Sequence, residues 1–179
     1  MHIRTTWNDV MFGSAQVDEP SIYIVMFDGE CKYVGKSMNV GSRFVSHFTR
    51  DCSPLHLITE RHHNPIVDIF GLHDACMVAV NVLDEWCENC DAYGAGRWWI
   101  FFRQLLLQCE SEVDKLSLLE HFFVFAFRPR MNRNLPAKNI MHRSWRDLHS
   151  GLEFSVFWEE LKFNFQGRET VRFAGFSNQ

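Results

Sequence analysis

The dipeptide Asp28-Gly29 constrains the fold of this chain more than any other feature of its sequence. It stands between Ser21-Ile22-Tyr23-Ile24-Val25-Met26-Phe27 and Glu30-Cys31-Lys32-Tyr33-Val34-Gly35, two runs rich in β-branched and aromatic residues. The central residues of a tight hairpin turn need positive φ, which Asp-Gly accepts at little cost, so the segment predicts an antiparallel hairpin. Alternation places Tyr23, Val25 and Phe27 on one face of the first strand and Ile22, Ile24 and Met26 on the other. Gly35 is expected to end the second strand. Residues 38–50 then read as a helix, with Val40, Phe44 and Phe48 spaced for one apolar face. Arg43 and His47 are four apart and share another face.

Beyond the hairpin the pattern is less regular. Pro54, Pro65 and Gly71 interrupt residues 51–75. Ala75 to Leu83 is a continuous apolar run broken only by Asn81, and reads as a third strand. Residues 84–95 are acidic and contain Gly94, as an exposed loop would. Trp98 to Cys109 reads as a buried helix, with Trp98, Trp99, Phe101 and Phe102 as core residues. Residues 112–127 form the clearest helix: Val113, Leu116, Leu119, Phe123 and Phe127 supply the stripe. Pro129 stops it. Trp145-Arg146-Asp147-Leu148 and the stretch Phe154 to Leu161 have helical spacing and are expected to pack back on the core. Residues 1–20 read as a polar, irregular arm.

With 179 residues, no internal repeat and no linker, one domain is expected over 1–179. The divisions are an N-terminal arm (1–20), a core (21–134) and a C-terminal extension (135–179). A share of 46% hydrophobic and 22% charged residues fits a globular chain. The 17 Phe are sufficiently explained as core. No apolar run is long enough to span a membrane. Residues 1–20 carry Asp9, Asp18 and Glu19 and no long apolar centre, so no signal peptide is expected. Six cysteines without a dense disulfide pattern agree with a cytoplasmic setting and reduced thiols. Cys87 and Cys90 form a CxxC pair, but one pair is half a zinc site, and no second pair has ligand spacing. His62 and His63 read as an exposed polar loop.

The net charge of -4 hides a segregation. Arg128, Arg130, Arg133, Lys138, Arg143 and Arg146 follow one another with no Asp or Glu between them, whereas acids gather at Asp84 to Asp91 and Glu110 to Asp114. A surface so divided can bind phosphate on one side; a solvated loop is the plainer alternative. Glu120 stands out further, because it sits between Leu119 and the run Phe122-Phe123-Val124-Phe125. A carboxylate there needs a partner, a salt bridge to a nearby arginine being the structural option. Its other use is chemical. Phosphodiester hydrolysis needs a divalent ion held by a carboxylate, a cation for the transition state and a proton acceptor for water. Magnesium or manganese keeps several waters and needs few protein ligands, so one carboxylate suffices.

The segment "SIYIVMFDGECKYVGKSMNVGSRFVSHF" resembles the opening of the GIY-YIG nuclease family. Ser21-Ile22-Tyr23 stands where the family has Gly-Ile-Tyr, and Tyr33-Val34-Gly35 where it has Tyr-Ile-Gly. Arg43 and His47 match the family's helical Arg with a His four residues on. "LLEHFFVFAFRPRMNRN" matches its later metal-binding Glu and the Asn beyond a proline turn, through Glu120, Pro129 and Asn132. The resemblance covers residues 21–50 and 113–134. It departs from the pattern at Ser21 and in the long aromatic stretch before the Glu120 helix, which could be an insertion shaping a DNA groove. It implies an α+β fold with a small three-stranded antiparallel sheet flanked by helices, a helical insertion and a C-terminal helical extension.

The resemblance also implies roles. Glu120 would bind one magnesium or manganese ion. Tyr23 would act on the attacking water, Arg43 on the phosphate, and His47 near Tyr23 in moving the proton. Tyr33 would position phosphate or water, Asn132 would hold the active-site loops together, and Lys36 is a further phosphate contact. The implied activity is metal-dependent hydrolysis of double-stranded DNA, site-specific in the manner of small restriction or phage enzymes. Arg128 to Arg146 and the middle insertion would read bases. A homodimer is compatible with cutting palindromes. The alternatives are a structure-specific repair or recombination nuclease, and a catalytically silent nucleic-acid- or protein-binding module on the same fold.

Overall fold

The structure, a computed structural model, describes residues 1–13, 17–49, 53, 55–56, 64–88, 96–127, 129 and 131–132. In chain order the elements are β1 (His2–Thr6), α1 (Trp7–Met11), β2 (Ser21–Phe27), β3 (Glu30–Ser37), α2 (Val40–Phe48), β4 (Ile66–Gly71), α3 (Leu72–Glu88), α4 (Gly96–Gln108) and α5 (Glu112–Phe127). The four strands form one antiparallel sheet in the order β1-β4-β2-β3. The fold is therefore α+β with an antiparallel sheet, as expected, but with four strands rather than three.

The hairpin is β2 and β3. Asp28 and Gly29 take φ of 50° and 73°, the two positive values that the turn demands. Tyr23 pairs with Gly35 and Val25 with Tyr33, and the register slips between Val25 and Met26. That bulge sits next to the turn and adds twist at the sheet edge. The strand runs on past Gly35 to Ser37. Asn39 caps α2, its side chain accepting from Ser42 N at 2.8 Å.

Three expectations are corrected. Residues 1–20 are not an irregular arm: His2–Thr6 pairs along all of β4 from the outer edge, and Thr6 caps the short helix that follows. The run Ala75 to Leu83 lies inside α3, and the fourth strand is Ile66–Gly71, just after Pro65. Ala75, Ala79 and Leu83 recur every four residues and are fully buried, so helical period prevails over β-branched composition. Residues 84–88 continue this helix instead of forming a loop. At residue level, Val113 and Phe48, read as stripe residues, are exposed by 56% and 53%. The expected helices around Trp145 and Phe154, like the side chains of Trp98, Trp99 and Phe101, lie outside the described residues.

Alternation along β2 divides the core in two. Ile22, Ile24 and Met26 pack with Phe70 against α3, α4 and α5. Tyr23 and Val25 pack with Val67 and Ile69 against Trp7 and Val10 of α1 and Val40 and Phe44 of α2. Within α5, every residue from Leu116 to Ala126 is buried except Glu120. A helix apolar on all sides belongs in a core, and this one crosses the sheet beside β2 and β3. No helix among the described residues is long and apolar enough to cross a membrane.

Candidate active site

Tyr23 is wholly buried in the middle of β2, with Gly35 as its cross-strand partner on the same face. The pairing is compulsory. A Cβ on Gly35 would lie 2.8 Å from Tyr23 Cε2 and closer still to Cζ and the hydroxyl, so the ring lies across the space that a side chain would fill. Tyr33, two residues before Gly35, points to the same face, and the two phenol rings stack with centroids 6.1 Å apart. Phe44 meets Tyr23 edge-on at 5.1 Å and fixes the ring from the α2 side.

One turn further along α2, His47 Nε2 is 2.9 Å from the Tyr23 hydroxyl. Its Nδ1 is 2.8 Å from Ser53 Oγ, which also accepts from Leu55 N at 3.3 Å. His47 and Ser53 are both buried. Arg43 is on the same helix face as His47, and its charge favours the ionised form of both phenols. Its Nε is buried without a hydrogen-bond partner, an arrangement that costs free energy unless an acceptor arrives.

Lys36 projects from the opposite face of β3, toward α5. Its Nζ is 3.2 Å from Glu120 Oε2 and donates to Ser117 Oγ at 2.6 Å. Glu120 nonetheless raises both phenols and Arg43 lowers Glu120, so the groups on the two sides of the sheet are coupled electrostatically. Beyond α5, Asn132 closes the edge of β3. Its Oδ1 accepts from Val34 N at 2.9 Å and its Nδ2 donates to Val34 O at 2.7 Å, while Met131 N donates to Lys32 O at 3.2 Å. The short segment after Pro129 thus satisfies an edge that would otherwise stay open.

Electrostatics follow from burial. Burial raises Tyr23 well above the usual phenol range, and the neighbouring Tyr33 adds to it, whereas Arg43 opposes it. Tyr33 is raised by burial and then by Glu120. Burial acts to lower Arg43, but the two phenols outweigh it and hold the guanidinium above its ordinary value. Burial raises Glu120, with Lys36 and Arg43 pulling the other way. Both phenols are therefore neutral at rest, and a cation stands ready for whichever loses its proton.

Of the seven expected residues, Tyr23, Tyr33 and His47 meet on one face of the hairpin with Arg43 on the same helix, Lys36 and Glu120 pair on the other, and Asn132 lies at the β3 edge. Glu120 has its partner, a lysine and not the arginine considered from sequence. Lys36 contacts Glu120 and Ser117. The basic set Arg128, Arg130, Arg133, Lys138, Arg143 and Arg146 lies outside the described residues, as do His62, His63, Cys90 and the Cys87 side chain. Two participants were missed. Ser117 is three residues before Glu120 on one helix face, a spacing that could have pointed to it. Ser53 lies in a segment without periodicity, and nothing in the sequence marks it.

Among the described residues no three His, Cys, Asp or Glu side chains are grouped so as to hold a metal ion. Glu120 is a single, partly exposed carboxylate paired with Lys36, and one carboxylate is a donor set that a hard ion keeping most of its waters can use. Compared with protein families, curated proteins and solved structures, the chain matches none.

Proposed function

We propose that this chain is a metal-dependent endonuclease of the GIY-YIG type, hydrolysing phosphodiester bonds of double-stranded DNA in a cytoplasmic setting. The observation that carries the reading is the buried Tyr23–His47 pair with Tyr33 stacked beside it, on a hairpin whose other face carries the Lys36–Glu120 pair. Each group supports one requirement of the reaction. Arg43 offers an unsatisfied buried Nε to a phosphate oxygen and stabilises charge that grows in the transition state. Tyr23 takes a proton from the attacking water and passes its own to His47. Tyr33, stacked beside it, orients the phosphate or the water. Lys36 pairs with Glu120 and opposes the upward pull of its burial.

Glu120 would hold magnesium or manganese, which when bound neutralises the phosphate and polarises it. Asn132 keeps the β3 edge in place beneath these groups. Arg128, Arg130, Arg133, Lys138, Arg143 and Arg146 supply the positive charge that the acidic remainder lacks, and would track the DNA backbone and base edges. Site-specific cutting by a homodimer is the form of the activity we favour.

Supercoiled plasmid incubated with and without magnesium tests the reading. Wild type is expected to nick or linearise it only with magnesium, and Glu120→Ala to leave it intact. Sequencing the ends separates a site-specific enzyme, with recurrent cut positions, from one that recognises DNA structure. Absence of cleavage on duplex, branched and single-stranded DNA alike would leave a binding module and overturn the proposal.

A further inference from the structure

The Tyr23–His47 pair works only if His47 carries its single proton on Nδ1, and a hydroxyl lies at each ring nitrogen. The Tyr23 hydroxyl lies 2.9 Å from His47 Nε2, and to pass its hydrogen to the ring it must find that nitrogen unprotonated. At the other end of the ring, Ser53 Oγ already accepts from Leu55 N and lies 2.8 Å from His47 Nδ1. A hydroxyl oxygen has two acceptor sites, so Ser53 has room to accept from Leu55 N and from an Nδ1–H together, with its own hydrogen directed elsewhere. The helix supplies the imidazole, and the buried Ser53 supplies the acceptor.

We propose that Ser53 is a positioning residue that holds His47 in the Nδ1–H tautomer, leaving Nε2 open to receive the proton of Tyr23. This rests on the nuclease reading for its catalytic meaning but not for its geometry. In the transfer the Tyr23 O–H bond breaks and an Nε2–H bond forms. The phenolate produced faces Arg43, and the imidazolium keeps its Nδ1–H on Ser53. The phenolate then takes a proton from the attacking water. In the opposite tautomer Nε2 already holds a hydrogen, and the transfer stops. Second partners that fix a histidine's tautomer in this way are common where the ring must act at one nitrogen.

Nitrogen-15 NMR of the imidazole rings, with His47 assigned by its loss in His47→Gln, reads the tautomer directly in the full chain without DNA. Wild type is expected to show a protonated Nδ1 and an unprotonated Nε2. Ser53→Ala should shift His47 to a mixture of tautomers, and Ser53→Thr, which keeps the hydroxyl, should restore the wild-type pattern. In cleavage assays Ser53→Ala should lower kcat about tenfold, inside the ~10²–10⁴-fold that general acid–base catalysis provides. Its KM for DNA should not change, and Ser53→Thr should recover most of the rate. A wild-type ring protonated at Nε2 overturns the proposal even if the protein cuts DNA. A ring protonated at Nδ1 that responds to Ser53→Ala supports it even if no DNA is cut, so the two readings fail separately. Should Ser53→Ala not fold, the wild-type and Ser53→Thr spectra decide.

Discussion

Tyr23 and Gly35 explain each other: the ring is buried because its partner has no side chain, and the glycine is bare because the ring is there. Gly35→Ala is accordingly expected to cost ~1–3 kcal/mol, the usual penalty of overpacking, as measured by urea denaturation. It should also displace the Tyr23 hydroxyl from His47. Tyr23→Phe is the complementary change: the ring stays, the hydroxyl goes, and cleavage should fall by ~10²–10⁴-fold with DNA affinity retained. The sequence showed these residues well, because tyrosines at fixed distances from a tight turn and an Arg–His pair at helical spacing are local patterns. It showed Lys36 only in part. Read alone it is a phosphate contact, and the pairing with Glu120 joins residues far apart in the chain. Ser53 was invisible, since a serine in an irregular segment acquires meaning only from what the fold brings to it.

Among the elements, the hairpin and α5 were legible and the sheet's outer half was not. Asp28-Gly29 sets its turn locally, and α5 has the boundaries that periodicity and Pro129 gave it. By contrast β1, with only Ile3 strongly apolar, owes its existence to backbone pairing with β4, which no property of residues 2–6 announces. The run Ala75 to Leu83 failed for another reason: continuous apolar residues suit a buried strand or a buried helix equally, and only the Ala75-Ala79-Leu83 spacing decides. Asn132 was expected to hold the active-site loops together; in the structure its side chain makes two bonds to Val34 at the edge of β3. Asn132→Ala would strip a partner from each of these backbone groups, so a loss of ~1–3 kcal/mol is expected in urea denaturation. Asn132→Asp, which keeps the acceptor for Val34 N but not the donor for Val34 O, should also be destabilising.

At the scale of the whole molecule, burial on both faces of the sheet sets the response to alkali. Burial pushes the Cys31 thiol up to about 12 from an ordinary value of 9.0, and it raises Tyr23 and Tyr33 as well. Between pH 9 and 12 the folded chain therefore keeps a proton on Cys31 that the unfolded chain releases. Stability is full below that window and declines as pH rises through it. Urea midpoints should fall across this range, and Cys31→Ala should flatten part of the slope; an unchanged slope would mean that Cys31 is not shielded. The charge segregation in the sequence carries a further expectation. Arg143→Ala with Arg146→Ala should weaken DNA binding and reduce the salt slope by about two. The most direct measurement of the central claim is single-turnover DNA cleavage in magnesium by wild type, Tyr23→Phe and Glu120→Gln, with circular dichroism and DNA affinity checked for each. Both variants should stay folded, bind DNA and cut it at least about a hundredfold more slowly. Either variant cutting at about the wild-type rate would contradict the account, because the phenol and the carboxylate would then not serve one reaction.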